Sequence, residues 1–169
     1  MHTFTTTLKI RHAQPQDLPE IISIYNQSVI TKQATADLSP VTEGDKEDWF
    51  NAHTGNRPLV VAQLSDGGLV GWASLSDLYA RPAYHISSEI SVYVDKRAKG
   101  QGVGKALVQY LLALAPSCGI QNVVALIFGH NQPSLTMFDK LGFVQWGKYP
   151  QVCDMDGFIA DVVILGKTV

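Results

Sequence analysis

Leu8 and Ile10 alternate with Lys9 and Arg11, the period-two pattern of a short strand. Asp17-Leu18-Pro19-Glu20 then has the form of a capping box, with Asp at the cap, proline in the tolerant first turn and Glu three residues on. Leu18, Ile21, Ile22, Tyr25 and Val29 recur at helical spacing and predict an amphipathic helix. The pattern dissolves from Thr31 to Pro40. Trp49, Phe50 and His53 place a second helix behind a Thr42 or Asp45 cap. Leu59 to Leu64 and Leu69 to Leu75 are apolar runs around Ser65-Asp66-Gly67-Gly68, which predicts a β-hairpin.

Ser76 to Tyr84 reads as a loop, and a strand follows from about His85 to Val94. Val103, Leu107, Tyr110, Leu111 and Leu114 predict a third helix, stopped by Pro116-Ser117-Cys118-Gly119. Asn122 to Phe128 is an apolar strand expected to be buried on both faces. Gln132-Pro133-Ser134 starts a short helix carrying Leu135, Phe138 and Leu141, with Gly142 as its left-handed cap. Phe143 to Tyr149 and Phe158 to Leu165 read as an antiparallel pair around a Pro150 to Gly157 loop. With no repeat, linker or low-complexity tract, the 169 residues are expected to form one mixed α/β (α+β) domain over residues 1–169.

Charge removes some classes of function. Thirteen Lys and Arg against fifteen Asp and Glu leave a net −2, so no nucleic-acid partner is expected and any anion site must be local. Cys118 and Cys153 supply neither a disulfide framework nor a zinc-ligand set, so no metal is expected. Met1 to Thr7 lacks the basic and apolar regions of a signal peptide, and no apolar run has membrane-spanning length. A soluble, cytoplasmic protein is expected.

The candidate chemistry gathers at the strand Ile90-Ser91-Val92-Tyr93-Val94 and the turn after it. Gly100, Gly102 and Gly104 permit backbone dihedrals and close approaches that side chains forbid, and a helix begins at once. Free amides and the positive dipole end of a helix bind phosphate oxygens. A P-loop would need Ser or Thr after Gly104-Lys105, where Ala106 stands. A dinucleotide fingerprint fails on glycine spacing and on its late position in the chain. A helix cap that merely tolerates glycine is the bland alternative.

Lys99-Gly100-Gln101-Gly102-Val103-Gly104 resembles the Gln/Arg-x-x-Gly-x-Gly/Ala signature of the GNAT superfamily of N-acetyltransferases, with Lys99 in place of the usual Gln or Arg. Asn131-Gln132-Pro133-Ser134 and Leu141-Gly142-Phe143 resemble a second segment of that family. The resemblance implies a single domain with a mixed, mostly antiparallel central sheet of about six to seven strands flanked by about four helices. It implies acetyl-CoA as co-substrate, its pyrophosphate on the amides of Lys99 to Lys105 (including Gln101 and Val103). Its pantetheine arm would lie along Val92, Tyr93 and Val94, with Asn131 and Ser134 beside it.

A narrower resemblance lies upstream. Tyr79-Ala80-Arg81-Pro82-Ala83-Tyr84, Ser88-Glu89 and Ser91-Val92-Tyr93-Val94 are similar to the phosphinothricin and methionine sulfoximine N-acetyltransferases, although Leu78 stands where a Trp is common. The similarity implies acetylation of the α-amino group of a small amino-acid-like amine by direct attack on the thioester, and a homodimer with active sites near the subunit boundary.

The residues themselves point to Glu89. An amine is protonated at neutral pH and must lose a proton before it can attack. Alternation places His85, Ser87, Glu89, Ser91 and Tyr93 on one strand face, where burial would raise the Glu89 pKa into a base's range. His85 is the rival base; a solvated carboxylate is the plain alternative. Arg81 is a candidate for holding a substrate carboxylate, or a solvated loop residue, and Tyr79, Tyr84 and Ser91 are further candidates for the substrate pocket. Relatives often use a Tyr to protonate the leaving thiolate, where Phe138 aligns here; a thiol pKa of about 8.5 lets the group leave unassisted. Peptide acetylation on the same scaffold, and a non-catalytic acyl-CoA sensor, are the alternative functions.

Overall fold

A computed structural model describes residues 7–169; residues 1–6, and with them most of the stretch read for a signal peptide, lie outside the described residues. The chain runs through β1 (Lys9–His12), α1 (Leu18–Thr31), α2 (Glu43–Asn51), β2 (Leu59–Gln63), β3 (Leu69–Asp77), β4 (Ser87–Val94), α3 (Val103–Leu114), β5 (Asn122–Phe128), α4 (Gln132–Lys140), β6 (Val144–Asp154) and β7 (Ile159–Thr168). The seven strands form one sheet in the order β1-β2-β3-β4-β5-β7-β6. β4 and β5 are parallel, and every other neighbouring pair is antiparallel. This is the mostly antiparallel α+β architecture expected.

Each face of β4 packs on a different pair of helices. Ile90 joins Leu75, Leu107, Leu111 and Phe138 in a core on the α3 and α4 side, with Val92 and Val94 packed against it. Trp72, Ile21, Tyr25 and Val61 form a second core on the α1 and α2 side, against which Tyr93 packs. Burying each of these side chains stabilises the fold by about 1.5–3 kcal/mol. α3 approaches closely where Gly71 leaves room: a Cβ there would meet Leu107 Cδ1 and Val103 Cγ1 at 3.1 Å. Among the described residues no helix is long and apolar enough to cross a membrane, and no His, Cys, Asp and Glu group could hold a metal.

Several expectations shift. Asp17 is not the side-chain cap of α1: it accepts the Gln14 N–H at 2.7 Å and a two-pronged pair from Arg11 at 2.7 and 2.9 Å. Glu20 is drawn instead to the Leu69 N–H at 3.0 Å. Arg11 on β1 offers the Asp17 carboxylate a charged partner that the helix end cannot match. α2 takes the Thr42 cap and ends before His53. β4 begins at Ser87, because Pro82 to Ile86 forms a short 3-10 turn. β5 is buried on both faces except at Leu126, which is exposed between the buried Val124 and Phe128. β6 runs on through the expected loop to Asp154, absorbing a register shift after Tyr149 with Gln151 at φ 53°.

Candidate active site

β4 pairs with β3 from Ser88 to Val94, while β5 follows β7 from Asn122 to Phe128. The two halves of the sheet stay together only where Ser87, Ser88 and Glu89 pair with Asn122, Val123 and Val124. Beyond Glu89 the strands part. Ile86 gives its carbonyl to Gln121 N–H at 2.7 Å, and Asp95 N–H points the other way to Val70 at 2.9 Å. Peptide groups alternate along a strand, so the N–H and C=O groups of Ile90, Val92 and Val94 face the opening. The opening is a cavity of about 290 Å³ that passes through the sheet: Thr35, Glu89, Ser91 and Tyr93 line it, and so do Asn131, Ser134 and Phe138.

At the far end of β4 the glycine turn is pinned from below. Asp95 is 5 % exposed, and its carboxylate accepts from Arg97 N–H and Nε at 2.8 Å each and from Gln27 Nε2 at 3.1 Å. Burial alone would raise its pKa, but these donors hold it at about 2. Lys96 N–H reaches Gln27 Oε1 at 2.9 Å. Gly100 and Gly102 then take left-handed φ of 75° and 81°, and Gly102 caps α3. Ala106 N–H, bonded to Gly102 C=O, opens the helical ladder, so the amides of Val103, Gly104 and Lys105 have no partner within the helix. Gly104 lets α3 lie against β4 and α4: a Cβ there would touch Val94 Cγ2 and Met137 Sδ at 3.4 Å. Lys99, Gln101 and Lys105 are exposed around this turn. Free amides, local cations and an adjoining cleft with unpaired strand amides fit a long phosphate-bearing cofactor with an extended arm. Asn131 caps α4, accepting Ser134 N–H at 3.3 Å, and lines the cleft.

Glu89 sits at the junction of the two halves, half-buried, and burial raises its pKa. Ser91 and Tyr93 continue the same face, with Trp72, Ser74 and Ser76 opposite Tyr93, Ser91 and Glu89 on β3. His85 is excluded from that face. It lies exposed in the 3-10 turn, its Nδ1 donating to Pro82 C=O at 2.9 Å. Proline at position 82 starts that turn and keeps β4 from reaching back to it. Glu89 also borders a second cavity of about 340 Å³ with Tyr79, Tyr84, Trp146 and Tyr149. Tyr79 and Tyr84 meet edge to face at 4.9 Å. Arg81 is exposed, lines neither cavity, and forms no ion pair among the described residues. Phe138 is 2 % exposed and packs on Phe143 at 4.9 Å.

Some of the lining is not readable from local patterns. The loop after α1 closes over the cleft: Tyr93 Oη donates to Ala34 C=O at 3.4 Å, and Tyr25 Oη bonds Thr35 at 2.6 Å and the Asp37 carboxylate. Burial, followed by the Asp37 carboxylate, pushes the Tyr25 pKa up to about 12. His130 stacks on Phe128 and donates from Nε2 to Lys32 C=O at 3.0 Å, tying the same loop to β5. Trp146, Tyr149 and Cys153 come from β6. The run from Thr31 to Pro40 carries no period that would have marked it.

The Acetyltransferase (GNAT) family matches residues 20–143. A Bacillus subtilis protein provisionally named a phosphinothricin acetyltransferase is 43% identical over 160 residues, covering 95% of this chain and 98% of that protein. The L-methionine sulfoximine/L-methionine sulfone acetyltransferase of Pseudomonas paraeruginosa is 33% identical over 92% of this chain and 91% of its own. The crystal structure of a Sinorhizobium meliloti phosphinothricin acetyltransferase in complex with AcCoA superposes with a TM-score of 0.91. It is 32% identical and covers 98% of this chain and 89% of that one.

Proposed function

The chain belongs to the Acetyltransferase (GNAT) family and is an N-acetyltransferase, and we propose that it acetylates the α-amino group of a small amino-acid-like substrate. The phosphinothricin, methionine sulfoximine and methionine sulfone class is the acceptor, and acetyl-CoA the donor. Relatives named for those acceptors, and a neighbour holding AcCoA, support this reading.

Lys99 to Lys105 would hold the pyrophosphate: the free amides at the start of α3 donate, Gly100 and Gly102 permit the close turn, and the two lysines add charge. The peptide groups of Val92 and Val94 would pair with the extended arm as a neighbouring strand does, with Tyr93 between them and Asn131 and Ser134 beside it. Acetyl-CoA when bound supplies an acetyl thioester activated toward an amine. Glu89 takes the proton from the acceptor's ammonium; its raised pKa brings it closer to working pH than an exposed carboxylate. Amides on the open edge of β4 would donate to a developing oxyanion. Ser91, Tyr79, Tyr84 and Arg81 orient the acceptor, Arg81 from the rim. Phe138 has no proton to give, so the thiolate leaves without help from that position. The protein acts in the cytoplasm, for which two free cysteines speak. It acts as a homodimer, for which the exposed Val144, Trp146, Val152 and Ile159 speak. One domain spans residues 1–169.

The observation that carries the proposal is a half-buried carboxyl group at the point where two strands part into a cleft that crosses the sheet. Release of free CoA is to be followed with methionine sulfoximine, methionine sulfone and phosphinothricin. Turnover of at least one is expected, and activity on peptides with none on free amino acids would overturn the substrate class.

A further inference from the structure

Directly across the β3–β4 ladder from Glu89 stands Ser76. Partners in an antiparallel pair carry their side chains on the same face. The Ser76 hydroxyl lies 3.1 Å from Nε2 of His53, and the other ring nitrogen, Nδ1, lies 2.9 Å from Trp49 C=O. A carbonyl only accepts, so Nδ1 carries the ring proton. Nε2 of the neutral ring is then a bare acceptor, and the Ser76 O–H points to it. Burial lowers the His53 pKa and so favours the neutral ring. The hydroxyl's one proton is committed, and only lone pairs remain for its neighbours on the sheet face.

We infer that His53 and Ser76 are positioning residues for Glu89: together they keep a hydroxyl that can accept but not donate opposite the carboxyl group, which disfavours its ionised form. Released from His53, the Ser76 hydroxyl would be free to turn toward its cross-strand partner, and a donor beside a carboxylate stabilises the ionised form. His53 prevents that turn. Burial is the source of the Glu89 shift, and no described group donates to its carboxylate. The titratable groups around it are Tyr93 on β4, Tyr79 and Tyr84 in the β3–β4 connection, Tyr149 and Cys153 on β6, and His53 behind Ser76. Arg57 and Asp77 satisfy each other at 2.7 Å. Of the two hydroxyls that flank Glu89 on the face, Ser87 and Ser91, Ser87 is engaged by Asn122 Nδ2 at 3.4 Å.

The inference rests on Glu89 as the base, so the test reads the carboxyl group without turnover. Side-chain carboxyl ¹³C resonances of the full chain are titrated by NMR, with Glu89 assigned from the peak missing in Glu89→Gln. His53→Asn keeps an Nδ2 donor for Trp49, and its acceptor Oδ1 stops short of the Nε2 position that takes the Ser76 proton; it is expected to lower the Glu89 midpoint by roughly one pH unit. The acidic limb of kcat/KM is expected to move with it. In Ser76→Ala the same His53 change is expected to do nothing, and His53→Gln, whose amide oxygen can take the Ser76 proton, is expected to keep the wild-type midpoint. His53→Leu carries the same expectation as His53→Asn should the latter not fold. Equal shifts with and without Ser76, no shift in His53→Asn and His53→Leu, or a His53→Gln shift as large as theirs, overturn the inference. If the midpoint moves as expected while Glu89→Gln keeps full turnover, the base assignment fails and the inference stands.

Discussion

Two carboxyl groups mark the two ends of the same open edge, and they are treated in opposite ways. Asp95, where β4 runs out, is 5 % exposed and surrounded by donors from Arg97 and Gln27. Burial pushes its pKa up, the donors win, and it settles at about 2. Glu89, where β4 leaves β5, is half-buried with burial alone acting on it, so its pKa goes up. Burial does not by itself distinguish structure from chemistry. The donors do: a carboxylate whose lone pairs are all engaged holds the backbone, and one left without partners is free to take a proton.

The largest expected effect falls at the unpartnered end. Glu89→Gln should lower kcat/KM by about 10²- to 10⁴-fold, the usual contribution of a positioned base, with the fold intact by circular dichroism. An unchanged rate would erase the contrast. At the partnered end, Asp95→Asn should cost about 1–3 kcal/mol in denaturant unfolding, because Arg97 and Gln27 lose a charged acceptor. Loss of acetyl-CoA affinity is expected with it, since Asp95 anchors the turn that leads to α3.

The pH dependence of stability should have opposite signs at the two sites. The Asp95 pKa is depressed in the folded state, so its contribution is full above the unfolded value of about 4 and is lost as pH falls through about 2. Asp95→Asn should flatten that acid limb. The Glu89 pKa is raised, so the folded state binds the proton more tightly than the unfolded one. Stability from this site falls as pH rises from the ordinary carboxyl value through the raised one. Glu89→Gln should therefore melt higher than wild type at neutral pH, and an equal or lower melting temperature would count against a burial-raised base. The smallest effect is expected for Arg97→Ala, below about 1 kcal/mol. Its side chain is 66% exposed, and the Arg97 N–H and Gln27 still hold Asp95.

Much of this was legible in short stretches. The glycines at 100 and 102 announced left-handed backbone before a helix, and both have it. The alternation from Glu89 to Tyr93 put the acid, Ser91 and the tyrosine on one face, and the β3 register agrees. His85 was misplaced because alternation extends a strand past a proline that in fact starts a turn. Asp17 was misplaced because a capping box takes no account of an arginine six residues upstream on another element. Thr35, Tyr149 and the His53–Ser76 pair carried no local signal, and each reaches Glu89's surroundings from a different part of the chain.

Local steric and hydrophobic periodicity were enough to settle the elements, the glycine turn and the side of β4 that bears Glu89, because those depend on residues within a turn or two of each other. The cleft itself depends on β5 pairing with β7 while β4 pairs with β3, which parts the sheet beyond Glu89. Whether a carboxylate on that strand meets donors, as Asp95 does, or none, as Glu89 does, is likewise set by which distant segments pack beside it. Burial and hydrogen bonding are properties of that assembled neighbourhood, and no spacing along the chain encodes them.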